Sequence, residues 1–185
     1  MSKVGKRPIP IPENVNIEID EKLIKIKGPL GEQVFEIPEN FKVYKKDNFL
    51  IIEPIDIKSN KQIKALWGTY RALLNNKIIG VSQGFETNLI LEGLGYSAEV
   101  SGQELVCKLG FSHPVKIEIP QDIKVEIKQA KGQYLISVKG IDKEKVGHFA
   151  AKIKSLKPRD AYKLKGFRYT DEIVKAKPIK KSLGK

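Results

Sequence analysis

Cysteine occurs once in this 185-residue chain, histidine twice, and tryptophan and methionine once each. A single cysteine excludes a disulfide framework within the chain and fits a reducing compartment. Cys107 stands between Leu105 and Leu109 in an alternating apolar stretch, the pattern of a small buried strand residue rather than a reactive thiol. His113 and His148 have no metal-ligand spacing to Cys107 or to each other. With no partner constellation, both read as hydrogen-bonded structural residues rather than general bases. No apolar run approaches the length that crosses a bilayer, so a soluble internal protein is expected. The opening Met1-Ser-Lys-Val-Gly-Lys-Arg-Pro-Ile-Pro has cations but no apolar stretch behind them. Prolines 8, 10 and 12 forbid an amphipathic helix there, and no targeting segment is expected.

Signatures of catalysis are missing as well. There is no serine nucleophile elbow and no Walker loop, and the carboxylates are scattered among lysines without forming an acid/base pair. Gly93-Leu-Gly-Tyr-Ser-Ala98 fits the spacing of a dinucleotide-binding turn. That turn must lead from strand to helix, whereas Glu99-Val-Ser-Gly102 continues as strand and turn. Glycines 93 and 95 are expected instead to mark a bulge or close approach within a strand. The residues point to no catalytic site, no metal, no cofactor and no small-molecule substrate.

What is present is a repeat. Glu36-Ile-Pro-Glu-Asn-Phe-Lys-Val43 aligns with Glu118-Ile-Pro-Gln-Asp-Ile-Lys-Val125, and at the same offset Leu23-Ile-Lys-Ile-Lys-Gly28 aligns with Leu105-Val-Cys-Lys-Leu-Gly110. Later, Phe49-Leu-Ile51 answers Tyr134-Leu-Ile136, and Gly68 answers Gly147. So long a period indicates tandem domains, placed at residues 1–82 and 83–185, rather than a solenoid. Alternating segments predict strands at 15–19, 23–27, 34–37 and 49–52, and at 89–91, 105–109, 115–119 and 135–138. Turns are expected at Asp20-Glu21, Asp47-Asn48, Ser101-Gly102 and Lys131-Gly132.

One helix closes each copy. The first is predicted from a capping box at Ser59 and Gln62, with Ile63, Leu66, Trp67, Tyr70 and Leu74 on its buried stripe. Trp67 is therefore expected in the core rather than as a stacking platform. The second begins at Asp142, buries Val146, Phe149, Ala150 and Ile153, and ends by Pro158. The fold class is α+β: two copies of a small antiparallel sheet with a helix on one face, plus a basic C-terminal tail. With 41% hydrophobic residues, a core is expected.

Charge is distributed unevenly. Residues 143–185 hold 14 Lys/Arg against 4 Asp/Glu, and thus +10 of the formal +12. A nearly neutral body with a basic end suits a polyanionic partner, nucleic acid first. Within Leu156-Lys-Pro-Arg-Asp-Ala-Tyr-Lys-Leu-Lys-Gly-Phe-Arg-Tyr169, the cations Lys157, Arg159, Lys163, Lys165 and Arg168 can neutralise phosphates. Tyr162, Phe167 and Tyr169 can offer flat faces to unstacked RNA bases. Only 4 of the 34 cations are arginine, and two of them fall here, which predicts use of guanidinium geometry on phosphate. A solvated basic tail, a membrane-docking adaptor, an enzyme and an RNA-binding regulator remain as alternatives. The adaptor lacks an amphipathic tail helix.

Several blocks in order resemble the bacterial type of the large-subunit ribosomal protein L-six family. They are Ser2-Lys-Val-Gly-Lys-Arg-Pro-Ile-Pro-Ile-Pro12, Gly68-Thr-Tyr-Arg-Ala-Leu-Leu-Asn-Asn76, Gly93-Leu-Gly-Tyr96, Gly110-Phe-Ser-His-Pro-Val115 and Tyr162-Lys-Leu-Lys-Gly-Phe-Arg-Tyr169. The resemblance covers essentially the whole chain. It implies a non-enzymatic constituent of the large ribosomal subunit, in a cytoplasmic or organellar ribosome, with rRNA and neighbouring ribosomal proteins as partners. It also implies rRNA binding by the second domain and the C-terminal segment, near where translation factors dock. By position, the rRNA-binding residues would be Lys157, Arg159, Tyr162, Lys163, Lys165, Gly166, Arg168, Tyr169, Lys175 and Lys177, with Lys3, Lys6 and Arg7 at the N-terminus. The near-neutral first domain would leave more surface for protein neighbours. Where the family's motif has a small residue or proline, this chain has Arg159, which would add a phosphate contact. Where the motif has proline it has Ala161, and where it has glycine it has Leu164, which makes the loop less free to adopt positive φ. The tail after Thr170 is expected to be poorly ordered until it binds.

Overall fold

The computed structural model describes residues 2–55, 61–130 and 132–178. The predicted helix start at Ser59, the Lys131 position of a predicted turn and the last seven tail residues lie outside them. Contacts divide the chain into two compact units, Met1–Phe85 with Ile141–Lys143, and Glu86–Gly140 with Glu144–Lys185.

The first copy runs β1 (Ile9–Pro10), β2 (Asn16–Ile19), β3 (Leu23–Gly28), β4 (Gly31–Glu36), β5 (Phe41–Lys46), β6 (Phe49–Pro54) and α1 (Lys61–Ser82). Its strands form two antiparallel sheets, ordered β2-β3-β4 and β1-β6-β5. Alternation decides which face is buried: in β3, Ile24 and Ile26 point inward while Leu23 and Lys27 are exposed. A core cluster gathers Ile9, Ile24, Ile26, Leu50, Leu74, Ile78 and Val81. A second joins Phe41, Ile52 and Trp67. The Trp67 indole N–H donates to the Ile52 carbonyl at 2.7 Å, so the ring is a core residue with its polar edge satisfied. Leu66, expected on the buried stripe, is 42% exposed. The stripe passes through Trp67, Leu74, Ile78 and Val81, which leaves Leu66 on its solvent side.

The second copy runs β7 (Phe85–Glu92), β8 (Ser97–Ser101), β9 (Glu104–Lys108), β10 (Val115–Glu118), β11 (Ile123–Ala130), β12 (Gln133–Gly140), α2 (Lys143–Leu156) and β13 (Gly166–Tyr169). Its sheets are ordered β10-β9-β8 and β11-β12-β7-β13. Helix α2 buries Val146, Phe149, Ala150 and Ile153, the four residues its spacing predicts. Cys107 is fully buried, and burial pushes its thiol up to about 11. His113 and His148 are both exposed, so neither is the structural residue expected. The described residues thus contain four strands beyond those predicted (β1, β5, β11 and β13), the strand expected at Glu99 is β8, and each copy carries two small sheets where one was expected.

Gly93 and Gly95 lie between two strands, β7 and β8, with φ of 155° and 77°. A Cβ on Gly93 would sit 2.5 Å from Tyr96 Cδ2. This is a tight inter-strand turn against an aromatic ring, neither a dinucleotide turn nor a bulge inside a strand.

Strand pairing also corrects the repeat alignment. Ile24 pairs with Phe35 in the first copy, and Leu105 with Ile117 in the second. The counterpart of Leu105 is therefore Ile24, one residue later than the matched words place it. Likewise Val43 pairs with Ile52, and Val125 with Val138, so Ile52 answers Val138.

Candidate nucleic-acid interface

Helix α2 ends at Leu156, two residues before Pro158. The chain then makes a loop through residues 157–165 and enters β13, which pairs antiparallel with β7 so that Gly166 faces Glu92 and Phe167 faces Leu91. The loop closes on itself. Phe167 N–H donates to the Lys157 carbonyl at 2.8 Å, Arg159 N–H to Phe167 at 3.1 Å, and Asp160 N–H to Lys165 at 2.9 Å. Gly166, at φ 124°, sits in this closure, where a Cβ would fall 2.5 Å from the Lys157 carbonyl oxygen and 2.7 Å from that of Pro158.

The tip is turned by Asp160. Its carboxylate accepts from the N–H groups of Tyr162 at 3.0 Å and Lys163 at 3.2 Å, and its carbonyl accepts from Leu164 N–H at 2.9 Å. The amide of Tyr162 is the main cause that holds the Asp160 carboxyl below its ordinary value, with the Lys163 amide and charge adding to it. Leu164 stands at φ 56°, so the loop takes the left-handed conformation despite lacking glycine. The Asp160 bonds on either side over-determine it.

The two arginines meet one carboxylate. Arg159 Nη2 lies 2.6 Å from Glu92 Oε2, and Arg168 Nη2 lies 3.1 Å from Glu92 Oε1. The side chains are 12%, 20% and 16% exposed for Arg159, Arg168 and Glu92 respectively. Each arginine's Nε is buried and has no partner among the described residues. The guanidinium geometry expected for phosphate is thus directed at a protein carboxylate.

The remaining candidates divide by exposure. Tyr162, Lys163, Lys175 and Lys177 are exposed and Lys165 is half-buried. The Lys157 ammonium lies 4.4 Å from the Phe111 ring centre. Of the three rings offered as stacking faces, Phe167 is fully buried, while Tyr169 carries the Lys154 ammonium 4.6 Å from its centre. Tyr162 is the exposed one, at 56%. The tail is tied back in part: Lys154 Nζ meets Glu172 at 2.6 Å, the Thr170 hydroxyl donates to the Asn88 carbonyl at 2.9 Å, and Lys177 N–H donates to Ala161 at 3.0 Å. Glu172 is held below its ordinary carboxylate value, chiefly by Lys154.

In the first unit, Lys3, Lys6 and Arg7 are exposed in a turn where Ser2 Oγ accepts from Gly5 N–H at 3.1 Å. Arg71 of α1 fixes the following segment by donating to the carbonyls of Arg7 and Pro8, each at 3.2 Å. Sequence reasoning missed Glu92, Phe111, Lys154 and Asn88. Phe111 could have been found, because it lies in the Gly110–Val115 block already singled out.

Among the described residues there is no metal-binding cluster, and no helix is long and apolar enough to cross a membrane. The class these features define is a tandem-repeat α+β protein whose second unit carries a closed, cation-rich loop. The family model described as ribosomal protein L6 matches residues 11–84 and again 92–170. The chain is 46% identical over 179 residues to large ribosomal subunit protein uL6 of Dictyoglomus thermophilum, covering 96% of both chains. It is 43% identical to the uL6 of Nitratiruptor sp. over 94% of each. To uL6c of Arabidopsis thaliana it is 41% identical, over 95% of this chain and 77% of that protein. The chain belongs to the ribosomal protein L6 family, whose members are structural proteins of the ribosome rather than enzymes.

Proposed function

We propose that the protein is a structural constituent of the large ribosomal subunit that binds the large rRNA through its second unit, near the region where translation factors dock. The observation that carries this reading is the closed loop of residues 157–165, which offers Tyr162 and Lys163 at the surface with Lys165 partly exposed beside them. Lys163, Lys165, Lys175 and Lys177 neutralise phosphates, Tyr162 supplies a face for an unstacked base, and Lys157 packs its ammonium over Phe111. Gly166 shapes the loop from within, Tyr169 packs under the Lys154 ammonium on β13, and Arg159 and Arg168 brace the loop through Glu92. Lys3, Lys6 and Arg7 form a secondary basic contact, and the near-neutral first unit meets neighbouring ribosomal proteins. The location is the ribosome, in a bacterial cytoplasm or an organelle.

The test is binding of the purified chain to large-subunit rRNA fragments and to unrelated structured RNA across a salt series. The variant is Lys163→Gln with Lys165→Gln, because deleting the segment would remove core residue Phe167. Preferred binding to the rRNA fragment is expected, and the double substitution should lower the log–log salt slope by roughly 0.9 or less for each phosphate it leaves unneutralised. Equal affinity for every RNA would refute the reading.

A further inference from the structure

We infer that Glu92 is a positioning residue for the basic loop: its carboxylate holds Arg159 and Arg168 across the loop's base, so that Tyr162, Lys163 and Lys165 are offered in one fixed geometry. The inference rests on the RNA-binding reading above and concerns that same site. By charge alone, a carboxylate among phosphate-binding cations should weaken RNA binding. Glu92 is mostly buried, however, and both its oxygens are engaged, at 2.6 Å and 3.1 Å, by arginines that enter from opposite ends of the loop.

Arg159 immediately precedes the Asp160 turn, and Arg168 lies on β13 beyond the closure at Gly166. With Glu92 neutral, two guanidinium groups with buried, unpartnered Nε atoms would be left side by side without an anion. Such a pair lowers its energy by moving apart and towards water. Arg168 is anchored within the β7–β13 pairing opposite Ile90, whereas Arg159 is held by a single backbone bond to Phe167 at the edge of the loop, so Arg159 is the partner that leaves, and it draws the Asp160 turn with it. That turn holds Leu164 at φ 56°, a conformation that persists only while its surroundings enforce it. Phosphate contacts made from a fixed frame set register and orientation, whereas contacts from a loose one give only non-specific attraction.

The experiment compares the full chain with Glu92→Gln, which keeps the volume and removes the charge. Affinities for a large-subunit rRNA fragment and for unrelated structured RNA are measured alongside amide hydrogen exchange of Lys163 and Leu164 in the free protein. Glu92→Gln is expected to lower affinity for the rRNA fragment about tenfold, the scale of one well-placed contact, while binding to unrelated RNA holds or rises. The two amides should exchange faster. Tighter binding to both RNAs with an unchanged ratio would overturn the inference, because Glu92 would then be only a repulsive charge. If Glu92→Gln fails to fold by circular dichroism, Arg159→Gln gives the same reading, and an unchanged ratio with unchanged exchange overturns it. Equal affinity of the parent chain for all RNAs would refute the functional reading instead, and the exchange rates would still decide whether Glu92 positions the loop.

Discussion

Gly166→Ala isolates the geometry on which the basic loop depends. The added methyl would sit 2.5 Å and 2.7 Å from the carbonyl oxygens of Lys157 and Pro158, where ordinary contact begins near 3.4 Å. Both obstacles are backbone, and both belong to the segment hydrogen-bonded to Phe167, so they can retreat only by opening the loop's closure. Forcing a side chain into such a space costs about 1–3 kcal/mol. Holding alanine at φ 124° adds about 1–3 kcal/mol more. A loss of about 2–6 kcal/mol from the second unit is expected, the lower end applying if the loop opens to relieve both. The assay is urea unfolding followed by far-UV circular dichroism. Trp67 fluorescence reads the first unit separately, because the chain's one tryptophan lies there. Gly147→Ala is the matched control: it lies in α2 with nothing within 4 Å of the added Cβ, and should stabilise by roughly 0.5–1 kcal/mol. A Gly166→Ala midpoint equal to the parent's would refute the close-approach argument.

Leu164→Gly should be more stable than Leu164→Ala by about 1 kcal/mol, because both lose the side chain and only glycine is at ease at φ 56°. An alanine variant as stable as the glycine one would contradict the left-handed turn. Asp160 and Glu172 both have lowered pKa values, so the stability each contributes is present above its ordinary value, 3.8 and 4.5, and is lost as pH falls through the lowered folded value. Protection of the Tyr162 amide, its exchange taken relative to the intrinsic rate at each pH, should therefore fall below about pH 4, with the step absent in Asp160→Asn, and protection unchanged to pH 2 would exclude this. Cys107, buried and pushed up to about 11, should resist an aromatic disulfide reagent at pH 7.5 and react only as the second unit unfolds. Labelling of the native protein at the rate of a free thiol would place it at the surface.

The helices were legible in the sequence and the sheet registers were not, for one reason. Aligning Gly68 with Gly147 carries Trp67 onto Val146 and Leu74 onto Ile153, all buried, because a helical stripe has phase over four turns. Matching Leu23-Ile24 to Leu105-Val106 carries exposed Leu23 onto buried Leu105. An apolar doublet contains no phase of its own, and a one-residue slip exchanges the two faces of a strand. The second copy has one more residue between the paired positions Leu105 and Ile117 than the first has between Ile24 and Phe35. No local signal shows it. Strands β5 and β11 were missed for a related reason: both are sheet edges, and their outward faces carry the charge that protects an edge from further pairing.

The candidate site divides along the same line. That residues 157–169 form a cation-rich stretch interleaved with rings could be read from composition. That Glu92 closes it could not, since Glu92 stands 76 positions from Arg168 and becomes its neighbour only through the β7–β13 pairing. Formal charge counts cations without recording which are already engaged. Of the five in this stretch, Arg159 and Arg168 are on Glu92 and Lys157 lies over Phe111. That leaves Lys163, exposed, and Lys165, half-buried. The loop's share of the salt slope should therefore be close to that of two neutralised phosphates, about 1.4–1.8 on the log–log scale, rather than the value of about 4 that five free cations would give. A loop contribution near 4, taken as the parent slope minus that of the loop-neutralised chain, would mean that Glu92 releases its arginines to the RNA.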